Sequence, residues 1–282
     1  MATFTPAQHL QAVLASYDGS PHERLAEITT SLISHLHAFA EEVQLSRHEW
    51  FLGIEALTRT GQMCNGERQE FILLSDTIGL SMLVEMINHR AADGTTEPTV
   101  FGPFHVEGAP RKAMGDSIVI DPTDADETVV FRGVVRDPNG EPIAGAELDV
   151  WSTATNGLYD VQDAEQPEMN MRGVFTTGAD GAYEFVGVRP VQYSIPGDGP
   201  AGELLFANGR HNWRPGHMHF VVSAPGHKTV ITHLFDADSD YLDSDAVFGV
   251  RDSLVVDMNN GSCEYDFVLD ADSPVDADQD TA

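Results

Sequence analysis

Apolar residues recur at three- and four-residue spacing through the first hundred positions, which is the period of helices that bury one face. Ser20, Pro21 and Glu23 have the order of a capping box with proline at the first helical position. The apolar series that follows is Leu25, Ile28, Leu32, Leu36 and Phe39. The sequence therefore predicts an amphipathic helix that starts close to residue 20.

Two more helices are predicted before residue 99. Ser46 and Glu49 repeat the capping pattern, and the apolar positions after them are Trp50, Phe51, Ile54 and Leu57. The segment 68–90 is apolar over most of its circumference, which is typical of a buried helix.

From about residue 99 the pattern changes to alternating apolar and polar positions, punctuated by Gly and Pro. Residues 128–135, 147–151 and 252–257 have the period of two that is typical of strands. Residues 137–140 and 179–181 are hairpin-type turn signals between such runs. Many short strands with frequent turns predict a β-sandwich, so the expected fold class is mainly β with a helical N-terminal part.

These patterns divide the chain into three parts. Residues 1–98 are predicted to form a helical linker and dimerisation domain, and residues 99–269 a β-sandwich domain that carries the chemistry. Residues 270–282 contain five aspartates, so we expect a solvated, partly disordered tail.

Charge is the unusual feature of the composition. The 282 residues include 15 Lys and Arg against 45 Asp and Glu, which gives a net charge of −30. Such a surface repels nucleic acid and anionic membranes, so neither is an expected partner. Dense like charge is tolerated best in concentrated salt, and we therefore hypothesise adaptation to a saline medium.

The sequence also carries signals about the cellular compartment. It has no apolar run of the roughly 18 residues that a membrane span needs. The N-terminal residues lack the basic region and apolar core of a secretory signal. Cys64 and Cys263 match neither a disulfide nor a zinc spacing. These features predict a cytoplasmic protein.

His217 and His219 lie two residues apart, ahead of the apolar residues 220–222. On a strand, side chains at positions i and i+2 face the same side, so both imidazoles can reach one metal ion. His35 and His37 have the same spacing in a helical pattern, where such side chains diverge. A histidine pair of this kind is common by chance, so it does not establish a metal site by itself.

Two of the six tyrosines, Tyr159 and Tyr193, lie in turn-rich segments. A phenol has a pKa of about 10 and becomes a ligand at neutral pH only beside a strongly Lewis-acidic cation such as iron(III). From the residues alone, half-buried amphipathic aromatic side chains remain the alternative interpretation.

The stretch from Trp151 to Leu254 resembles the catalytic core of the intradiol ring-cleaving dioxygenases. The motifs that carry the resemblance are Gly157-Leu158-Tyr159, Tyr193-Ser194-Ile195-Pro196 and Arg214-Pro215-Gly216-His217-Met218-His219-Phe220. Gly199-Pro200 and Gly209-Arg210-His211 match in the same order. The helical N-terminal part is similar to the linker domain through which catechol-type members of the family pair as homodimers.

The resemblance implies a ligand set and a reaction. Tyr159, Tyr193, His217 and His219 would bind one iron(III) per chain, and the substrates would be O2 and an aromatic ring with adjacent hydroxyl groups. Tyr193 would leave the metal and accept a proton when the diol binds. Arg214 would be the catalytic cation beside the negatively charged ring.

Within the family, the chain is most similar to hydroxyquinol (benzene-1,2,4-triol) 1,2-dioxygenases. The similarity rests on segments 74–76, 79–84, 100–106, 232–235 and 244–249. The implied pocket is lined by Leu73, Asp76, Val100, Phe101, Gly102, Pro103, Phe104, Ile195, Pro196 and Val247. Asp76 is able to hydrogen-bond to a third ring hydroxyl. Catechol would leave that carboxyl unpaired at a cost of about 1–3 kcal/mol.

Three alternatives stay open at this point. The ligands do not separate a hydroxyquinol enzyme from a catechol or chlorocatechol 1,2-dioxygenase. A zinc or copper enzyme could be built on His217 and His219, and a non-catalytic sandwich module would leave both structural.

His233 stands where catechol-cleaving relatives often have Gln, so its role is open. His211 and His227 are candidates for supporting hydrogen bonds.

Overall fold

The computed structural model of the chain describes residues 4–65, 68–88 and 94–272. Its contacts divide the chain into two compact units, Met1–Arg59 and Thr60–Ala282. Most of the predicted acidic tail lies outside the described residues. The boundary between residues 98 and 99 stays a prediction.

Three helices begin the chain: α1 (Pro6–Ala15), α2 (Glu23–Glu42) and α3 (Arg47–Met63). The predicted capping box of α3 is confirmed, because Glu49 N donates to Ser46 Oγ at 3.2 Å and Ser46 N to Glu49 Oε2 at 2.9 Å. The capping box predicted at Ser20 is wrong. Ser20 Oγ accepts from His22 N at 3.3 Å, a local turn that competes with capping, and α2 begins only at Glu23.

The apolar stripe of α2 is exposed in the described chain. The side chains of Leu25, Ile28, Leu32, Leu36 and Phe39 are between 50% and 59% exposed. On α3, four apolar side chains are between 44% and 60% exposed, namely Trp50, Phe51, Ile54 and Leu57. The helical spacing predicted from the sequence is correct, but both stripes are exposed among the residues that the structure describes.

The predicted single helix over 68–90 is wrong. The segment forms two helices, α4 (Glu70–Thr77) and α5 (Leu80–Asn88). Gly79 has φ of +77°, a left-handed conformation that ends a helix and that few other residues adopt. The segment is also less buried than predicted, since Phe71, Ile72 and Leu83 are about half exposed.

The remainder of the described chain is mainly β structure with one further helix, α6 (Pro200–Ala207). The strands are β1 (Thr128–Arg136), β2 (Glu147–Trp151), β3 (Arg172–Thr176), β4 (Ala182–Val188), β5 (Tyr193–Ser194), β6 (Trp213–Arg214), β7 (His217–Ser223), β8 (Val230–Asp236), β9 (Val255–Val256), β10 (Ser262–Glu264) and β11 (Phe267–Val268). The strands predicted at 128–135 and 147–151 are confirmed as β1 and β2. The strand predicted at 252–257 is reduced to β9, because Asp252–Leu254 forms a 3-10 turn.

Two sheets pack face to face. One has the strand order β3-β2-β7-β8-β9. In the other, β1 pairs antiparallel with β4 and parallel with β10 and β11. The turn at 179–181 joins β3 to β4 and so crosses between the sheets instead of closing a hairpin. The apolar core draws fully buried side chains from both sheets, including Phe131, Phe185 and Phe220. This is the predicted β-sandwich with a helical N-terminal part.

Alternate side chains of β7 face either the sandwich core or a second apolar cluster, which includes the buried residues Trp151, Tyr159, Tyr193 and Ala201. Met218, Phe220 and Val222 belong to the sandwich core, whereas Val221 packs on the second cluster. His217 and His219 share the face of Val221, because side chains two apart on a strand point the same way. The strand therefore carries the two histidines toward the second cluster.

Candidate metal centre

The two tyrosines reach the histidines from separate turns. Tyr159 precedes a 3-10 turn, Asp160–Gln162, and its Oη lies 2.9 Å from His219 Nε2. Asp160 accepts from Arg172 Nε at 2.8 Å in a buried ion pair, which ties this turn to β3. A short ribbon pairs Tyr193 on β5 with Arg214 on β6. The rings of Tyr159 and Tyr193 meet edge to face, with centroids 5.6 Å apart.

The ring of His217 is oriented by a backbone carbonyl. Its Nδ1 lies 2.7 Å from Pro215 O, and because a carbonyl only accepts, Nδ1 carries the proton. The lone pair on Nε2 then points into the site, where it lies 3.2 Å from His219 Nε2.

The ring of His219 is held by a buried chain of hydrogen bonds. His219 Nδ1 lies 2.7 Å from His233 Nε2, and His233 Nδ1 lies 2.7 Å from Thr99 Oγ1. When Thr99 accepts, both histidines donate along the chain and His219 Nε2 is left as a lone pair. Trp151 stacks on the His219 ring at 4.5 Å, and Gly102 approaches so closely that a Cβ there would lie 3.2 Å from His219 Cε1.

Burial fixes the protonation of these groups. It lowers the pKa of His217 to about 3, with the charge of Arg214 adding to the effect. Burial, followed by the neighbouring histidine, also pulls the pKa values of His219 and His233 well below their usual range. The three imidazoles are therefore neutral, which is the form that binds metals.

The pKa of the Tyr159 phenol is raised, whereas the pKa values of the three histidines are lowered. Burial first, and then the charge of Tyr193, raise its pKa well above 10. Ionising this phenol at neutral pH therefore requires a strong cation within bonding distance.

Arg214 is the cation that the protein itself supplies. It is buried, and its Nη1 lies 3.2 Å from His217 Nε2 and 3.4 Å from Tyr193 Oη. Its Nε and Nη2 donate to the two carboxylate oxygens of Asp245 at 3.0 and 3.3 Å. Burial alone would lower the pKa of Arg214, but the Asp245 carboxylate outweighs it and keeps the guanidinium charged.

The geometry fits a metal ion. His219 Nε2 lies within hydrogen-bond distance of both Tyr159 Oη and His217 Nε2. In the tautomers set by Pro215 O and Thr99 Oγ1, neither Nε2 atom carries a proton, so both lone pairs are available to a cation. Ligand atoms at right angles around a metal with bonds of about 2.1 Å are separated by about 3.0 Å, which is close to the spacing found here.

A second donor set is less suitable. Among the described residues, His217, His219 and His233 form a group with ring nitrogens within 4.8 Å of one another. Three histidines are a known catalytic zinc set. However, both ring nitrogens of His233 already have partners, so its ring supports His219 and has no free lone pair for a metal.

Five of the ten expected pocket residues lie in or against the second apolar cluster, which also contains both tyrosines: Leu73, Val100, Phe104, Ile195 and Val247. Asp76 is buried on α4 and interacts with the charges of Arg214 and Asp245. Gly102 contacts the ring of His219. Phe101 packs edge on against Trp151 at 5.8 Å. Pro103 is exposed and Pro196 is half-buried after Ile195, so these two lie toward the rim.

Two candidates are not brought to the site. His211 Nε2 lies 3.0 Å from Ser244 Oγ, and His227 Nδ1 donates to Pro225 O at 3.2 Å. Conversely, sequence reasoning assigned no role to Asp245, Thr99 or Trp151. The one signal for Asp245 was its position directly before the apolar residues Ala246-Val247-Phe248, and for the other two there was none.

Comparisons with known proteins identify the family. The family model described as dioxygenase matches residues 100–271, and the model described as catechol dioxygenase N terminus matches residues 22–96. The chain is 48% identical to 6-chlorohydroxyquinol 1,2-dioxygenase of Cupriavidus pinatubonensis, over 92% of this chain and 95% of that protein. It is 44% identical to an intradiol ring-cleavage dioxygenase of Aspergillus niger, over 86% of this chain and 73% of that protein.

Solved structures of dioxygenases also match the fold of this chain. The crystal structure of hydroxyquinol 1,2-dioxygenase from Pseudomonas putida matches with a TM-score of 0.89 and 45% identity, covering 95% of this chain and 99% of the other. Catechol 1,2-dioxygenase of Acinetobacter radioresistens matches with a TM-score of 0.83 and 26% identity, covering 96% and 94%. The described residues contain no helix with the length and apolar character needed to cross a bilayer. With both family models matched in order and the sandwich preserved, the chain belongs to the intradiol ring-cleavage dioxygenases of the catechol dioxygenase type.

Proposed function

We propose that the chain is an iron(III)-dependent hydroxyquinol 1,2-dioxygenase. It inserts both atoms of O2 into benzene-1,2,4-triol and releases 3-hydroxy-cis,cis-muconate, which tautomerises to maleylacetate. The observation that carries this proposal is the convergence of two phenols and two imidazoles in a buried pocket that also holds a buried carboxyl, Asp76. The names of the relatives, which include hydroxyquinol 1,2-dioxygenase of Rhizobium at 47% identity, support the substrate.

The metal would be held by Tyr159, Tyr193, His217 and His219. Iron(III) suits this donor set better than zinc, because the raised pKa of Tyr159 demands a strongly Lewis-acidic ion. When bound, iron(III) acidifies the two adjacent hydroxyls of the substrate and withdraws electron density from the ring, which activates the ring toward O2.

Two side chains of the protein manage charge and protons. Tyr193, as the phenolate, would accept one proton from the diol at its Oη, which lies 3.4 Å from Arg214 Nη1. Arg214 stabilises the negative charge on the ring during oxygen attack, because it is a permanent cation in a buried site. Asp245 holds Arg214 in place through its two carboxylate oxygens.

Asp76 provides the substrate preference. It is 5% exposed, and burial raises the pKa of its carboxyl. The carboxyl hydrogen-bonds to Ser81 and interacts with the charge of Arg214, and its remaining acceptor capacity favours a ring that brings its own hydroxyl. We expect Asp76 to hydrogen-bond to the third hydroxyl of hydroxyquinol, a group that catechol lacks. The loss of this hydrogen bond then disfavours catechol by about 1–3 kcal/mol, or roughly 5- to 150-fold in kcat/KM.

Initial rates test this function. The iron-loaded enzyme should turn over hydroxyquinol with a kcat/KM at least fivefold above those for catechol and 4-chlorocatechol. Replacing Asp76→Leu should abolish most of the preference while catechol turnover persists. Equal or higher kcat/KM with catechol would replace this proposal with the catechol 1,2-dioxygenase alternative. That alternative is favoured by a 38% identical catechol 1,2-dioxygenase from Candida albicans.

The enzyme is further proposed to be a homodimer that pairs through its N-terminal helices. The support is the apolar stripe of α2, in which five side chains are at least half exposed. Patches of this kind on soluble proteins mark interaction surfaces. Sedimentation velocity at micromolar concentration should give a dimer of the 30.7 kDa chain, and replacing Leu32→Glu should yield monomers. A wild-type monomer under these conditions would contradict the assignment.

The cytoplasm is the proposed compartment. Both cysteines of the chain, Cys64 and Cys263, are free thiols, which a reducing environment preserves.

A further inference from the structure

Two walls of the candidate pocket come from distant parts of the chain. One is the end of α4, where Asp76 is followed by Thr77. The other is the loop 245–248, which carries Asp245 and Val247. The recognition of a third hydroxyl described above depends on how these two segments are placed relative to each other.

One side chain bridges the two segments. Arg210 Nη1 donates to Thr77 O at 2.6 Å, and Arg210 Nη2 donates to Ala246 O at 3.0 Å. Thr77 is 1% exposed and Ala246 is fully buried, so water has little access to replace these bonds. The acceptor carbonyls belong to the residue directly after Asp76 and to the residue between Asp245 and Val247.

The backbone of Arg210 is itself fixed. It follows α6 through the turn at Asn208 and Gly209, and its N–H donates to Leu205 O at 3.0 Å. The bridge therefore starts from a rigid element. Thr77 O is one of the carbonyls that the end of α4 leaves without a helical partner, so the guanidinium also caps that helix.

The same guanidinium contacts a strained residue of the loop. It lies 4.6 Å above the ring of Phe248. Phe248 has φ of +60°, a conformation that costs an aromatic residue about 1–3 kcal/mol. The ring of Phe248 in turn packs on Gly79, where a Cβ would lie 3.3 Å from its Cδ2. Phe248 is nonetheless 47% exposed, so core burial does not explain its conformation.

Arg210 is also unusual in its partners. In a chain of net charge −30, the contacts of its guanidinium are two backbone carbonyls and one aromatic ring, with no carboxylate among its described partners. A planar fork with two parallel donors is suited to holding two carbonyls at a fixed separation. An ion pair on the surface would not have that effect.

We propose that Arg210 is a positioning residue that fixes the spacing between Asp76 and the loop of Asp245 and Val247, and thereby sets the preference for a ring with a third hydroxyl. This inference rests on the proposed hydroxyquinol activity. The described contacts of the Arg210 guanidinium are Thr77 O, Ala246 O and the ring of Phe248, none of which is a metal ligand, so it acts through Asp76 and Val247.

The test compares kcat and KM for hydroxyquinol and catechol in the iron-loaded wild type and in Arg210→Met, which keeps the stem but removes the donors. The kcat/KM for hydroxyquinol should fall at least tenfold, mainly through KM, whereas that for catechol should fall less than threefold. Iron content and the visible absorption of the ferric enzyme should not change. Arg210→Lys should recover part of the preference, and it replaces Arg210→Met if the latter does not fold.

Two further variants separate positioning from general stability. Arg251→Met is the matched control. Arg251 donates to Phe248 O and Val250 O within its own loop, and neither of these carbonyls belongs to α4. It should change the substrate ratio less than twofold. In an Asp76→Leu background, Arg210→Met should also change that ratio less than twofold, because the group it positions is absent.

These measurements separate a failure of the proposed function from a failure of the proposed role of Arg210. A wild type that does not prefer hydroxyquinol refutes the proposed function before any variant is made. If the wild type shows the preference, an unchanged ratio in folded Arg210→Met overturns the role of Arg210. An equal loss with both substrates, or the same loss in Arg251→Met, also overturns it.

Discussion

Replacing Asp245→Asn is expected to destabilise the fold and to inactivate the enzyme together. Each oxygen of Asp245 accepts two hydrogen bonds: Oδ1 from Arg214 Nε at 3.0 Å and Val247 N at 3.3 Å, and Oδ2 from Arg214 Nη2 at 3.3 Å and Gly249 N at 2.9 Å. Whichever way the amide is turned, its NH2 group faces two donors. Arg214 also loses the carboxylate with which it forms its buried ion pair.

The magnitude follows from this loss. Two buried hydrogen bonds at about 1–3 kcal/mol each agree with the roughly 3–5 kcal/mol found when one partner of a buried ion pair is removed. In a unit of this size, about 2–4 °C of melting temperature corresponds to 1 kcal/mol, so the decrease should be roughly 6–20 °C. Glu127→Gln is the matched control. Glu127 is exposed and lies 3.4 Å from Arg189, and its loss should cost less than about 1 kcal/mol.

A double replacement separates stability from chemistry. Arg214→Met with Asp245→Leu removes both charges from the buried site, and apolar pairs of similar volume commonly restore stability. The double variant should recover only part of the melting temperature, because Val247 N and Gly249 N still lack their acceptor. It should recover none of the activity, because the cation beside Tyr193 is gone. Thermal unfolding and initial rates measure the two effects. A melting temperature of Asp245→Asn within 2 °C of wild type, or an active double variant, would refute the reasoning.

Three further outcomes are expected. Thr99→Val removes the end of the hydrogen-bond chain behind His219, so iron should be lost to a chelator at roughly 10- to 100-fold lower concentration, and unchanged retention would contradict the role of that chain. Because burial raises the pKa of Asp76, its ionisation opposes folding. The stability of wild type relative to Asp76→Asn should therefore fall as pH rises above about 3.9, and a difference that is constant between pH 4 and 8 would argue against it. If the net charge of −30 reflects salt adaptation, melting temperature should rise between dilute and molar KCl, and a flat profile would remove that hypothesis.

Periodicity predicted the parts of the fold that depend on local sequence. The period of two around His217 and His219 placed both imidazoles on one face of β7, and the stripes of α2 and α3 are where the spacing put them. Periodicity gave wrong helix boundaries where a single residue determines the local backbone conformation. Gly79 divides the segment 68–90 because of its left-handed backbone, and Ser20 bonds to His22 instead of capping α2.

The site was less accessible to sequence reasoning. The residues alone left Tyr159 and Tyr193 as ordinary aromatic side chains, and only the family resemblance singled them out. Their convergence depends on two turns that the sandwich brings together over 34 residues of separation. The partners of the active groups were not predictable. Arg214 pairs with Asp245 31 positions away, and His233 with Thr99 134 positions away, without any local pattern.

The visible absorption spectrum of the purified, iron-loaded protein tests the proposed coordination most directly. Phenolate bound to iron(III) absorbs visible light, whereas phenolate bound to zinc does not, so the wild type should be coloured and should change colour when hydroxyquinol is added without oxygen. Tyr159→Phe and Tyr193→Phe should each weaken or shift the band in protein that still folds. A colourless protein with one bound iron per chain, or a band unaffected by either replacement, would contradict the account.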